Sequence, residues 1–398
     1  MTIDDLNRDA LTLLRKLTTS RGIMASTIDS DNYKRVWARD SVICGIAGIL
    51  AEDQAIIDGL KISLLTLAEH QHENGIIPSN ILKTENDNDV SYGSLVGRVD
   101  TNTWFVIGSC LYYLNTNDKT TWEYLKPVIQ KCRTYLKCIE FNGKGWIYTP
   151  LSGNWADEYP MHGYTLYDNC LRLWGEKLWL KLNNESDIDL QEILTKTKLN
   201  FWPSKETDNQ LLYQKTSHNK ALTENILHFC SFILPGIYDT RFDAAGNALA
   251  LLNFKINNTQ KNSLSIFIKS LKANISKTLI PAFWPVIQKG DDDWKHIEGN
   301  YAFDFKNEPF HFHNGGIWPV WMGLFCLGLS HNNLKEEVKH IVSDFENITK
   351  NNNWNFQEYI TADKLELKGK SLMGFTASGI VFMYNALKDD AFKQKLGI

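Results

Sequence analysis

The sequence predicts an all-α fold: an (α/α)6 toroid of six inner and six outer helices, forming one domain behind an N-terminal lead-in helix. Three observations lead there. Almost wholly apolar segments alternate along the chain with amphipathic ones, the pattern of buried helices each backed by an exposed partner. Each apolar segment follows a short run of polar and aromatic residues. The pairing recurs at intervals of roughly 55 to 80 residues, an internal repeat too long for the common solenoid units, so the pairs are expected to close on themselves.

Residues 1–30 are read as the lead-in, with Leu6, Leu11, Leu13, Leu14 and Leu17 at helical spacing, and residues 31–398 as the ring. From Asp31 a polar stretch ending at Arg39-Asp40 opens an apolar helix to Leu50, and an amphipathic helix is expected over 54–72. Gly97 to Trp104 opens the second apolar helix, to Leu114, backed by 120–139. Asn154-Trp155-Ala156-Asp157 precedes the third, over 163–182, backed by 189–201. Thr240 to Asp243 opens 244–254, backed by 263–276, and His313-Asn314-Gly315-Gly316 opens 317–329, backed by 334–348. Gly369-Lys370-Ser371 opens the last, to Leu387, with a short partner behind. Short strands are candidates only at 146–149 and 210–214.

With 398 residues, 43% hydrophobic and 12% aromatic, the chain has material for one large closed core. A net charge of −4 without a basic run gives no electrostatic reason to expect nucleic acid or a membrane surface as partner. A neutral carbohydrate suits the 13 Trp and 15 Tyr better, since flat rings pair an apolar face with a polar tip. The acidic N-terminus lacks the apolar core of a signal peptide, and seven scattered cysteines form no Cys-x-x-Cys pair. A reduced, cytoplasmic protein is expected, without cofactor or metal; its oligomeric state, a homo-oligomer among the options, stays open.

A ring of this kind gathers its openings at one end. That brings together Trp37, Arg39, Asp40, Arg98, Asp100, Trp155, Asp157, Glu158, Arg241, Asp243, His311, His313, Asn314, Trp318, Trp354, Glu358 and Lys370. Carboxylates, hydrogen-bonding Arg, His and Asn, and Trp faces describe a carbohydrate site; no Walker loop, dinucleotide fingerprint or nucleophile elbow is present. His311-x-His313 lacks the partners of a metal pair. Cleaving a glycosidic bond needs one carboxylic acid to protonate the leaving oxygen and one carboxylate on the other face, and Asp157 and Glu358 could face each other across the ring. Glu158 rivals Asp157, because neighbours on a loop point in different directions. Arg39-Asp40, Arg98 with Asp100, and Arg241 with Asp243 read either as ion pairs pinning the openings or as substrate contacts.

The openings resemble, in the same order, those of the alkaline/neutral invertases, glycoside hydrolase family 100, and more distantly trehalases and amylo-1,6-glucosidases. The resemblance rests on Tyr33 to Asp40, Gly97-Arg98-Val99, Arg241-Phe242 to Gly246-Asn247, His313-Asn314-Gly315-Gly316-Ile317-Trp318-Pro319 and Gly369-Lys370. It implies an inverting glycosidase with Asp157, in Trp155-Ala156-Asp157, as general acid and Glu358 as base. Trp155 and Trp354 are then expected in the walls, and the carboxyl groups roughly 6.5 to 9.5 Å apart. Ala156, Tyr167 and Ile360 depart from the family pattern, so sucrose is one candidate among short glucosides. An α-glucosidase of the amylo-1,6 or trehalase type, a sugar isomerase or epimerase built on histidine, and a non-catalytic sugar-binding toroid are the alternatives. Gly315-Gly316 suggests a tight turn where a side chain would obstruct the sugar or a neighbouring helix.

Overall fold

The computed structural model describes residues 1–28, 33–83, 88–93, 96–205 and 209–398. The start of the first opening, Asp31-Asn32, and the boundary expected after residue 30 lie outside the described residues. The chain is mostly helical. In order come α1 (Ile3–Leu17), α2 (Ala38–Ala51), α3 (Gln54–Glu69), α4 (Asp100–Thr116), α5 (Lys119–Cys138), α6 (Leu166–Asn183) and α7 (Ile188–Phe201). There follow α8 (Lys215–Ala221), α9 (Ala244–Asn253), α10 (Asn258–Ile275), α11 (Trp294–Glu298), α12 (Pro319–His331), α13 (Lys335–Asn351), α14 (Gly374–Leu387) and α15 (Ala391–Leu396).

Helices α2, α4, α9, α12 and α14 are buried over nearly their whole length, because they carry almost no charge beyond the first turn. Only α6, which ends in Lys181 and Asn183, turns a polar flank outward. These six pack in sequence, α2 on α4, α4 on α6, α6 on α9, α9 on α12 and α12 on α14, and α14 returns to α2. Amphipathic helices surround them: α3 lies on α2, α5 on α4, α7 on α6, and α13 on α12 and α14. Outer helices announce themselves by their caps, as where Asp53 caps α3 and Asn257 forms a capping box with Gln260 on α10.

One expectation is corrected at the seam. The short helix α15 does not back α14. It touches α2 and α4, the carbonyl of Lys395 accepting from Asn115 Nδ2 of α4 at 2.9 Å, and the carbonyl of Leu396 accepts from Trp174 Nε1 of α6 at 3.1 Å. The flank of α14 is covered by α1, whose Leu6, Ala10, Leu13, Leu14 and Leu17 are all buried. The N-terminal helix therefore does the work of an outer helix for the sixth inner one.

The strands are short, and those between openings act as ties. Val36–Trp37 pairs with Asn80–Lys83, Tyr164–Thr165 with Phe232–Leu234, and Phe242–Asp243 with Phe283–Trp284. Isolated bridges join Ile317 to Pro281 and to Ile360. The two strand candidates read from the sequence are not strands: Thr149 makes a single bridge to Gly163, and Asn209–Leu211 is a 3-10 turn. Their aromatics pack sideways instead, Trp146 donating from Nε1 to Thr197 Oγ1 on α7 at 2.8 Å.

Candidate active site

The N-terminal ends of the inner helices meet through side chains. Arg39 Nη1 on α2 donates to Asp100 Oδ2 on α4 at 2.7 Å, and Tyr167 on α6 donates its hydroxyl to the same oxygen at 3.1 Å. Arg98, just before α4, donates from Nη2 to Asp157 Oδ2 at 2.6 Å and from Nη1 to the carbonyls of Ser152 at 2.5 Å and Asn154 at 3.2 Å. Arg241 is held by Asp239 and, at 3.2 Å, by Asp293. Each arginine thus pairs away from the aspartate nearest it in the sequence motif. The ion pairs do pin the openings, but Arg39 and Arg98 reach between successive openings rather than staying within one.

The loop from Ser152 to Tyr159 carries the first two carboxylates. A strap formed by the chain after α11 lies against it. Asn300 accepts from Ser152 Oγ at 2.9 Å and donates to the carbonyl of Asp157 at 3.3 Å, while Asn307 Nδ2 donates to the carbonyl of Glu158 at 2.7 Å. Held this way, the neighbours diverge. The Asp157 side chain is 36% exposed; Arg98 occupies Oδ2, and among the described residues no hydrogen bond reaches Oδ1. Glu158 turns inward, its Oε2 sealed from solvent without a partner, and burial followed by the charge of Asp157 pushes its pKa up.

Glu358 is buried on the sixth opening in a cradle of its own. Oε1 accepts from the Tyr33 hydroxyl at 3.0 Å and Oε2 from the Lys370 amide at 3.3 Å, while its own amide donates to the Lys370 carbonyl at 2.8 Å. Gly369 makes the cradle possible: its φ is +76°, and a Cβ there would collide with Oε2. Burial raises the pKa of Glu358, and the Tyr33 and Lys370 hydrogen bonds only partly counter it.

Asp40, in the first turn of α2, is buried, and among the described residues its carboxylate accepts no hydrogen bond from another residue, although it is not sealed off. Burial pushes its pKa up to about 6. Two further aspartates that begin inner helices are also driven toward the neutral form by burial, Asp168 to about 7 and Asp243 to about 7. Asp168 accepts at Oδ2 from Thr149, Asn154 and Thr165, at 2.8, 2.8 and 2.7 Å.

An aromatic cluster joins the carboxylate loops. Trp155 meets His313 at 5.1 Å and Trp318 at 5.6 Å; Trp318 stacks on Tyr359, next to Glu358, at 5.9 Å and on Phe375 at 5.9 Å. His313 is enclosed between Phe312 and Trp318, and burial lowers its pKa to about 3, so the ring is neutral.

The other expected site residues spread out. Asn314 is fully committed to structure, accepting from the Ile287 amide at 2.8 Å and donating to the carbonyls of Ile287 and Asn307. His311 lies in a turn, its Nε2 3.9 Å from Asp363. Trp354 packs on Phe345 of α13 at 5.2 Å and on Phe356, two residues before Glu358, at 6.0 Å. Trp37 and Lys370 are half-buried at the first and sixth openings, with Lys370 Nζ 6.0 Å from the centre of the Tyr33 ring. Gly315 has a φ of +95° and faces Val286 and the Phe310 backbone, so the obstruction it avoids is protein. Sequence reasoning missed Asn300, Asn307 and Lys306. Their strap carries no periodicity, and the richness in Asn was the one signal. A groove of about 650 Å³ lined by Trp146, Arg172, Glu176 and Tyr213 lies among α5, α6 and α7 and shares no residue with this cluster.

Comparisons with known proteins agree with this architecture. The family model for alkaline and neutral invertase matches residues 203–386, which include Glu358 and exclude Asp157. Alkaline/neutral invertase C, mitochondrial, of Arabidopsis thaliana is 23% identical over 383 residues, covering 81% of this chain and 56% of that protein. The chain therefore spans little more than half the length of that relative. A GH63 mannosylglycerate hydrolase from Thermus thermophilus, in complex with Tris and D-glycerate, superposes with a TM-score of 0.66 at 11% identity, over 95% of this chain and 99% of that one. A rhamnosidase from Klebsiella oxytoca with rhamnose bound gives 0.61 at 11% identity, over 96% and 63%. The chain resembles alkaline/neutral invertases in sequence and glycoside hydrolases in fold. Among the described residues no helix is long and apolar enough to cross a membrane.

Proposed function

We propose that this invertase-like chain is an inverting glycoside hydrolase acting on a short sugar, with the active site carried by residues 31–398. The observation that supports it best is the division of labour between two carboxyl groups at one end of the ring. Asp157 is partly exposed and positioned by Arg98; Glu358 is enclosed, hydrogen-bonded and raised in pKa. In this reading Asp157 delivers a proton to the leaving oxygen as the glycosidic bond breaks, and Glu358 takes a proton from the water that attacks the anomeric carbon. A raised pKa makes Glu358 the stronger base.

The rival Glu158 is also raised in pKa, by burial and then by the charge of Asp157, but it turns inward with Oε2 sealed. Arg39 and Asp40 would bind sugar hydroxyls, and the Trp155 and Trp318 edges would bound the subsite. An epimerase reading built on His311 or His313 has less behind it: His311 lies 3.9 Å from Asp363, and His313 is boxed in rings.

The test is a screen of sucrose, trehalose and short α-glucosides, with the anomer first released read by proton NMR. Inversion is expected, with Asp157→Asn and Glu358→Gln each losing about three orders of magnitude in turnover and Glu158→Gln losing less than about tenfold. Retention of configuration, or a Glu158→Gln as damaging as Asp157→Asn, would overturn the assignment.

A further inference from the structure

Lys306 stands in the strap immediately before Asn307, the residue that ties the site together. Asn307 Nδ2 donates to the Glu158 carbonyl at 2.7 Å, and its Oδ1 accepts from the amides of His313 at 3.0 Å and Asn314 at 3.2 Å. This clamp sets the backbone of residue 306 beside the carboxylate loop on one side and the fifth opening on the other. From there Nζ lies 5.2 Å over the ring of Phe312, which itself meets His313 at 4.1 Å and Tyr359 at 5.7 Å. The ammonium therefore sits at the mouth of the site, and its charge favours the ionised forms of both Glu158 and Glu358 and the neutral form of His313.

What distinguishes this cation is that no carboxylate among the described residues neutralises it at contact distance. Arg39 is held by Asp100, Arg98 by Asp157 and Arg241 by Asp239, whereas Lys306 makes no ion pair among the described residues. A lysine ammonium is a compact point charge on a flexible stem, with three donors to direct at an incoming acceptor. Phe312 beneath it supplies a cation–π surface that steers the stem but leaves the donors free.

We propose that Lys306 is a specificity residue that binds an anionic substituent, a carboxylate or a phosphate, on the sugar substrate. The inference deepens the glycosidase reading and rests on it for the location of the sugar. It changes the expected substrate class from a neutral sugar to a sugar acid, a phosphosugar or a glycoside with an acidic aglycone. A charge-assisted contact of this kind distinguishes a charged ligand from its neutral counterpart by about tenfold.

The experiment is calorimetric titration of the full chain with D-glucose, D-glucuronate and D-glucose 6-phosphate at low and high salt. At least one anionic sugar is expected to bind about tenfold more tightly than glucose, with the preference shrinking as salt rises. The glucuronate and phosphate arms tell which anion the site accepts. Lys306→Gln is expected to erase the preference, Lys306→Arg to keep most of it, and Lys306→Glu to reverse it. Circular dichroism melting shows whether the variants remain folded, which substitution at this exposed position should allow. Equal affinity for all three sugars, or a preference that survives Lys306→Gln, would overturn the proposal. Since binding and not turnover is read, failure of the hydrolase assignment would appear separately, in the product screen.

Discussion

Single residues tune the proposed chemistry through what they donate. Tyr33 is the clearest case, because its hydroxyl is the main hydrogen bond that opposes the burial of Glu358. Removing it leaves burial less opposed, so the carboxyl holds its proton to higher pH. Tyr33→Phe should therefore move the acidic limb of the kcat/KM profile upward, with a smaller effect on the alkaline limb; an unmoved acidic limb would mean that Glu358 is not the base. Tyr167 shows the opposite economy. It departs from the family pattern, yet it is completely satisfied, accepting from Trp104 Nε1 at 2.8 Å and donating to Asp100. Ala156 and Ile360, the other departures, are buried as well, so each of these changes is absorbed in packing.

At the scale of elements, the turn before α12 holds more of the structure than of the ligand site. Gly315 combines a left-handed backbone with a Cβ position already occupied by Val286, so a branched side chain brings both strain and overpacking. Gly315→Val is expected to lower the melting temperature by several degrees and activity in parallel, the two falling together as the fraction folded falls. Activity lost at an unchanged melting temperature would instead put the glycine against substrate. The strap after α11 stands in contrast. It is anchored by Asn300 and Asn307, while Phe303 between them is 87% exposed. Side-chain amides, not apolar packing, keep Asp157 outward and Glu158 inward.

For the whole molecule, burying acidic residues where the inner helices begin gives stability a pH dependence. Folded Asp168 and Asp243 have pKa values raised to about 7 from 3.8, so the native state holds protons that the unfolded chain releases, and their stabilising contribution is lost as pH rises from about 4 to about 7. Buried His228, His313 and His331 have pKa values lowered from 6.5 to about 4, about 3 and about 4, so the unfolded chain takes up protons first, and stability is lost as pH falls below 6.5. The two sets titrate in the same window and oppose each other, so the melting temperature should change less between about pH 4 and pH 7 than either set alone would make it. Asp243→Asn removes part of the aspartate contribution, so the melting temperature should rise more with pH between about pH 4 and pH 7 than in the unsubstituted chain; an unchanged slope would show that Asp243 is ionised in the folded state.

The sequence by itself determined where the inner helices lie and that polar, carboxylate-bearing loops precede them, because wholly apolar and amphipathic segments differ in composition, which needs no neighbours to be read. It also marked Glu358 and the Gly369-Lys370 pair, and offered Asp157 and Glu158 as candidates for the proposed acid. Tertiary structure decided the rest. Only ring closure could place α1 beside α14, pair Arg39 with Asp100 and Arg98 with Asp157, and bring Tyr33 to Glu358 across 325 residues of chain. The division between Asp157 and Glu158 came from a strap some 140 residues away, as Asn300 and Asn307 bond to their carbonyls at separations of 143 and 149 positions. The physical reason is common to these cases. Helical burial is a property of local pattern, whereas the direction of a loop side chain and the partner of a charge depend on contacts that exist only once distant segments have met.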